Sequence, residues 1–144
     1  MKVSMASDHG GFALKEAVKK HLIEKGIEVV DFGTNSTESC DYPDFGRPAA
    51  QAVADKKVDK GILICTTGLG MSMVANKIKG VRAAVCSDTV SAYLTRQHND
   101  ANVLVMGQGI VGEILAKSIV DTFIETDFSF EEKHIRRVGK IEEL

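Results

Sequence analysis

Five short apolar runs, each followed by a stretch with apolar residues at helical spacing, constrain this chain more than any other feature. The runs are "KVSMAS" at 2–7, "IEVVDF" at 27–32, "KGILIC" at 60–65, "VRAAVC" at 81–86 and "NVLVM" at 102–106. Helical spacing follows over 11–25, where Phe12, Leu14, Val18, Leu22 and Ile23 recur and Gly26 ends the pattern. It returns from Pro43 through Ala49, Ala50, Ala52, Val53 and Ala54, then over 71–78, 89–98 and 111–125. Strands that are apolar throughout, rather than alternating, are buried on both faces, which a parallel sheet covered by helices requires. The expected fold is α/β: a three-layer αβα sandwich around a five-stranded parallel, Rossmann-like sheet. All 144 residues suit a single domain. Right-handed crossovers bring every strand's C-terminal end to one edge, where open α/β sheets bind ligands. Those ends are Ser7-Asp8-His9, Gly33-Thr34, Cys65-Thr66-Thr67, Ser87-Asp88 and Gly107. The polar stretch "GTNSTESCDYPD" after the second strand is too long for a tight connection and is a functional candidate.

The segment 126–144 departs from the alternation. "EEKHIRRVGKIEEL" sets Ile135, Val138 and Ile141 in a narrow apolar stripe, with Lys133, Arg136, Arg137 and Lys140 as cations at helical spacing. It reads as an appended amphipathic helix whose stripe docks on a second subunit, giving a homodimer, with further pairing of dimers into a tetramer left open. A formal charge of −2 argues against a nucleic-acid partner, so any anion site is local. No apolar run approaches a membrane span and "MKVSMASDHGG" lacks a signal peptide's core, so a cytoplasmic protein without a membrane partner is expected. Cys40, Cys65 and Cys86 form an odd set without CxxC spacing and are expected as free thiols. His9, His21, His98 and His134 lack metal-ligand spacing, and no metal is expected.

Chemistry concentrates at "CTTGLGMS". A strand ends at Cys65 and a helix opens at once, so Gly68 and Gly70 let backbone N–H groups converge on an anion. The same partial positive charge favours thiolate at Cys65, as base or nucleophile. A phosphate-binding lysine loop fails because no lysine follows Gly70. A dinucleotide fingerprint lacks a small residue at Met73, and a cysteine phosphatase lacks the arginine where Met71 stands. A phosphocysteine carrier, as in the IIB domains of sugar phosphotransferase systems, stays open. So does a buried cysteine that merely ends its strand, the reading that suits Cys86. Asp8, His9, His98 and Asn99 add acids and imidazoles expected on the Cys65 edge, although Asp8 and His98 could equally cap their helices.

The segments "SDHGGFALK", "DYPDF", "ILICTTGLGMSMVANKIKGVRAAVC", "SAYLTRQHNDANVLVMG" and "IVGEILAKSIVD" together resemble the type B ribose-5-phosphate isomerases and their galactose-6-phosphate isomerase relatives, over nearly the whole chain. The resemblance implies a cofactor-independent aldose-ketose isomerase working through an enediolate, with sites shared across a dimer. It implies that Cys65 carries the proton between C2 and C1, with the amides of Thr66, Thr67, Gly68, Leu69 and Gly70 holding the enediolate oxygen. Thr67 and the partner's His98 would open the furanose ring, and Asp8 and Asn99 would meet sugar hydroxyls. His9, His134 and Arg137 match phosphate-binding positions.

Three departures from the family pattern bear on substrate. Met71 stands where some members carry a glutamate base, which leaves Cys65 as the base. Lys133 replaces an arginine of the tail, giving up bidentate phosphate geometry for which Arg136 may substitute as a cation. Gly109 stands where many members have arginine. The expected reaction is ribose 5-phosphate to ribulose 5-phosphate; a six-carbon sugar phosphate, allose 6-phosphate or galactose 6-phosphate, is the alternative.

Overall fold

The computed structural model describes residues 1–143. Strands and helices alternate as β1 (Lys2–Ser7), α1 (Phe12–Glu24), β2 (Glu28–Asp31), α2 (Tyr42–Ala54), β3 (Lys60–Cys65), α3 (Leu69–Ala75), β4 (Ala83–Val85), α4 (Thr89–Asn99), β5 (Val103–Gly107) and α5 (Glu113–Glu125), followed by α6 (Glu132–Ile141). The five strands are all parallel, in the order β2-β1-β3-β5-β4. Alternate side chains leave the sheet on opposite sides, so one β-strand serves two cores. Val3, Met5, Ile62, Ile64, Leu104 and Met106 pack under α1, α4 and α5. Leu63, Cys65, Val103 and Val105 pack under α2 and α3. This is the expected three-layer sandwich.

Strand order follows burial rather than sequence. Every residue of β5 is buried and it lies between β3 and β4, while the short, half-buried β4 takes the edge. The strand expected over 81–86 shrinks because side chains claim its first residues: Arg82 N–H donates to Asn102 Oδ1 at 2.8 Å. On the other side Asn76 imitates a neighbouring strand, its Oδ1 accepting from Ala83 N–H at 2.8 Å and its Nδ2 donating to Ala83 O at 3.0 Å.

Helix α1 stops where Gly26, at φ 80°, turns left-handed: Gly26 N–H reaches Ile23 O and Ile27 N–H reaches Leu22 O. Its inner face differs from the apolar spacing, since Ile23 is exposed while Lys15 is fully buried beside Leu14, Val18 and Leu22. Helix α6 is present as expected, but on its own chain it buries His134, leaving Ile135 and Ile141 half exposed. Leu144, at the end of the expected extension, lies outside the described residues. Among the described residues no helix is long and apolar enough to cross a membrane.

Candidate active site

Cys65 is the last residue of β3 and nearly buried, on the α3 side of the sheet. Its Sγ accepts the Gly68 N–H at 3.2 Å. The chain must double back within three residues to make that contact, and Gly68 does so at φ 82°, a conformation that costs glycine little. An N–H aimed at sulfur is the contact a thiolate accepts well. Leu69 N–H donates to Thr67 Oγ1 at 3.2 Å, so two amides of the expected anion cradle are engaged inside the loop. Those of Thr66, Thr67 and Gly70 have no such internal partner among the described residues. The β5–α5 loop braces the turn: Gln108 N–H donates to Cys65 O at 2.9 Å and Gly109 N–H to Thr66 O at 2.8 Å. Gly107 lies flat on Thr67, where a Cβ would come within 2.6 Å of backbone carbon.

Asp8, His9, Gly10 and Gly11 form the facing wall. A Cβ on Gly11 would sit 2.5 Å from Ile64 O, and one on Gly10 would collide with Thr66 Oγ1, so both glycines are needed for α1 to start against the end of β3. Asp8 is buried, yet its Oδ1 has no hydrogen-bond partner among the described residues. An unpaired carboxylate oxygen is costly in such a place and is a ready acceptor for a ligand hydroxyl. Asp8 does not cap α1: the N-cap is Gly11, and Leu14 N–H donates instead to Gln108 Oε1 at 2.9 Å. His98 lies inside the last turn of α4, whose N-terminus is capped by Asp88 through Ser91 N–H. His9 Nδ1 accepts the Cys40 N–H at 3.2 Å, which leaves the neutral ring's proton on Nε2.

One neighbour escaped the sequence reading. Tyr42 lays its ring on Gly70, where a Cβ would lie 2.6 Å from Cζ. The signal was an aromatic residue straight after a polar loop at the binding edge. Met71 is fully buried with its sulfur against Gly46, so its side chain faces the core between α2 and α3.

The structure corrects the expectation that His98 and Asn99 share the Cys65 edge within one chain. Helix α4 starts beside the C-terminal end of β4 and runs about 15 Å back along the sheet, at 1.5 Å per residue. Its end therefore lies at the N-terminal edge, where Arg82 Nε reaches Asn99 O at 3.3 Å and Gly61 N–H reaches Asn102 O at 3.0 Å. Helix α6 packs there too. The His98 and His134 rings meet at 4.5 Å between centroids, and His134 Nδ1 lies 2.6 Å from Ser129 Oγ. Burial, and next the charge of His98, push the His134 imidazole below its ordinary pKa against the opposing pull of Glu131. Lys133, Arg136 and Arg137 are exposed on the same helix, and neither arginine has an ion-pair partner among the described residues. The candidate residues thus form two separate clusters: thiol, glycine loop, Asp8 and His9 at one edge, imidazoles, Asn99 and cations at the other. Strand length separates them by about 17 Å, farther than a five-carbon sugar phosphate reaches.

Known proteins share this arrangement of sequence and fold. The profile of the Ribose/Galactose Isomerase family matches residues 3–141. The ribose-5-phosphate isomerase B of Escherichia coli (strain K12) is 49% identical over 140 residues, covering 97% of this chain and 93% of that protein. The solved structure of Clostridium thermocellum ribose-5-phosphate isomerase B superposes with a TM-score of 0.97 at 50% identity, over 99% of this chain and 96% of that one. That of Mycoplasma genitalium ribose-5-phosphate isomerase B with bound ribulose-5-phosphate superposes at 0.94 with 42% identity, over 98% and 93%. A profile match over almost every residue, on a fold whose cysteine-bearing turn is built as described, means that this chain belongs to the ribose/galactose isomerase family.

Proposed function

We propose that the protein interconverts ribose 5-phosphate and ribulose 5-phosphate, with Cys65 as the base. The Cys65 thiolate takes the C2 proton, the C2–H pair forms the C1–C2 double bond as the carbonyl pair moves onto O1, a proton passes from O2 to O1, and the sulfur returns its proton to C1 as the C2 carbonyl forms. Free amides of Thr66, Thr67 and Gly70 hold the enediolate oxygen, and Gly68 N–H donates to the sulfur. Asp8 Oδ1 accepts a sugar hydroxyl. Thr67 with the partner's His98 opens the ring, the partner's Asn99 meets a further hydroxyl, and His9 joins the partner's Lys133, His134, Arg136 and Arg137 around the phosphate. No metal or cofactor is required by these steps. The observation that carries the reading is the strand-end sulfur held by a loop amide, with a buried Asp8 oxygen at the next strand's end that nothing among the described residues satisfies.

The separation of the two clusters supports a homodimer in which each edge of one chain faces the other edge of its partner. The exposed stripe of α6 supplies apolar surface for that contact. The cytoplasm suits a thiol base that must stay reduced. A six-carbon substrate is the second reading, favoured by Gly109, which carries no side chain beside Thr66 where many relatives place arginine. A panel of five- and six-carbon sugar phosphates in D₂O separates the readings by which compound gains deuterium at C2. Ribose 5-phosphate is expected to exchange fastest. A phosphocysteine carrier would instead show no exchange and an added phosphate mass on Cys65.

A further inference from the structure

Gln108 stands where three parts of the site meet, and each of its ends is bonded to a different one. Its N–H donates to the Cys65 carbonyl at 2.9 Å, and its side-chain Oε1 accepts from Leu14 N–H at 2.9 Å. We propose that Gln108 is a positioning residue for the isomerisation: its side chain sets the distance between the substrate-holding Asp8–His9 segment and the Cys65 base. The inference rests on the isomerase reading above.

The start of a helix leaves N–H groups without helical acceptors. In α1 the N-cap is a glycine and offers no side chain. Among the described residues the first turn takes its one side-chain hydrogen bond from Gln108, ninety-four positions away in sequence. The other contacts between the start of α1 and the Cys65 turn are stops. Gly11 against Ile64 O, and Gly10 against Thr66 Oγ1, limit how near α1 can come to β3 but not how far it can drift. A hydrogen bond limits both, because it weakens steeply when stretched or bent. Gly11 N–H in turn holds Asp8 O at 3.2 Å, so any drift of the helix entry carries Asp8 and His9 with it.

Substrate is gripped by Asp8 and His9 and deprotonated by Cys65, so the clamp acts on the alignment of the C2–H bond with sulfur. A misplacement on the order of 1 Å can cost about 100-fold in rate while binding contacts persist. Gln108→Met keeps side-chain length and removes the acceptor. Gln108→Glu keeps an acceptor at the same reach, with a charge that the helix N-terminus tolerates. Exchange and turnover of ribose 5-phosphate, together with amide hydrogen exchange at Leu14, test the idea on the full chain. Gln108→Met should lower kcat between about 10- and 100-fold, leave KM within a factor of about two, and speed exchange at Leu14; Gln108→Glu should recover most of kcat and slow that exchange again. Wild-type kcat in Gln108→Met, a loss confined to KM, or equal losses in both variants would overturn the proposal. If the wild-type protein itself exchanges no deuterium at C2 of ribose 5-phosphate, the isomerase reading fails, whereas the clamp is still judged by Leu14 exchange.

Discussion

Two cysteines stand at the C-terminal ends of β3 and β4, with β5 between them, and one atom's surroundings separate their chemistry. Cys86 is fully buried, and burial, with a smaller contribution from the charge of Asp88, pushes its thiol up to about 11. It stays protonated and inert at neutral pH. Cys65 receives an N–H from Gly68, and the Gly10–Gly11 segment after Asp8 presses on the residues either side of it, Ile64 and Thr66. Replacing Cys65 with alanine is expected to lower kcat by about 10² to 10⁴, the range for an acid-base group, while Cys86→Ala in a folded protein keeps turnover near normal; steady-state kinetics on both variants checks the contrast. The difference was legible in the sequence because a glycine-rich turn follows one cysteine and not the other. The fate of Asp8 was not legible. An N-cap and a ligand-facing carboxylate use the same residue at the same strand end, and only the position of Gln108 decides between them.

At the level of elements, the device that holds the polar β2–α2 loop in place is a fully buried lysine. Lys15 Nζ lies 2.8 Å from both oxygens of Asp31, which also accepts Gly33 N–H at 2.8 Å and Lys19 Nζ at 3.1 Å. The pair joins α1 to the entry of the loop that ends with Cys40 beside His9 and Tyr42 over Gly70. Burial alone would raise the Asp31 carboxyl, but the hydrogen bonds from Lys15, Gly33 and Lys19 together hold it below its usual range. A carboxylate lowered on folding stabilises the fold above its unfolded pKa of about 3.9 and loses that contribution as pH falls through the lower folded value. Asp31→Ala, which leaves Lys15 buried without its partner, should cost about 3–5 kcal/mol in urea unfolding at pH 7. That deficit against wild type should shrink as the pH is taken below 4 in the acid range. Nothing in the helical spacing of α1 marks Lys15 as an inner residue. A lysine enters a core only when a carboxylate from elsewhere meets it, which is a fact about two elements.

For the whole molecule, the decisive geometry is that helices run antiparallel to the strands they cover. A residue at the end of α4 is then a full sheet length from a residue at the end of β3, so the proposed site needs the partner's α4. Two variants defective in opposite halves test this. Homodimers of Cys65→Ala and of His98→Asn should each be nearly inactive. After mixing and re-equilibration the heterodimers should regain about a quarter of wild-type activity, because half of the dimers carry one intact site. No recovery in a mixture shown to have exchanged subunits would place the site within one chain.

Local pattern alone determined the α/β class, the approximate span of every element and the cysteine-bearing turn, because apolar runs, helical periodicity and glycine placement act on residues close in sequence. Tertiary structure decided the strand order, the burial of Lys15 and Met71, the partner of α1's first turn, and the parting of His98 from Cys65. Each of those depends on which distant segment supplies the facing atoms, and a linear pattern carries no term for that.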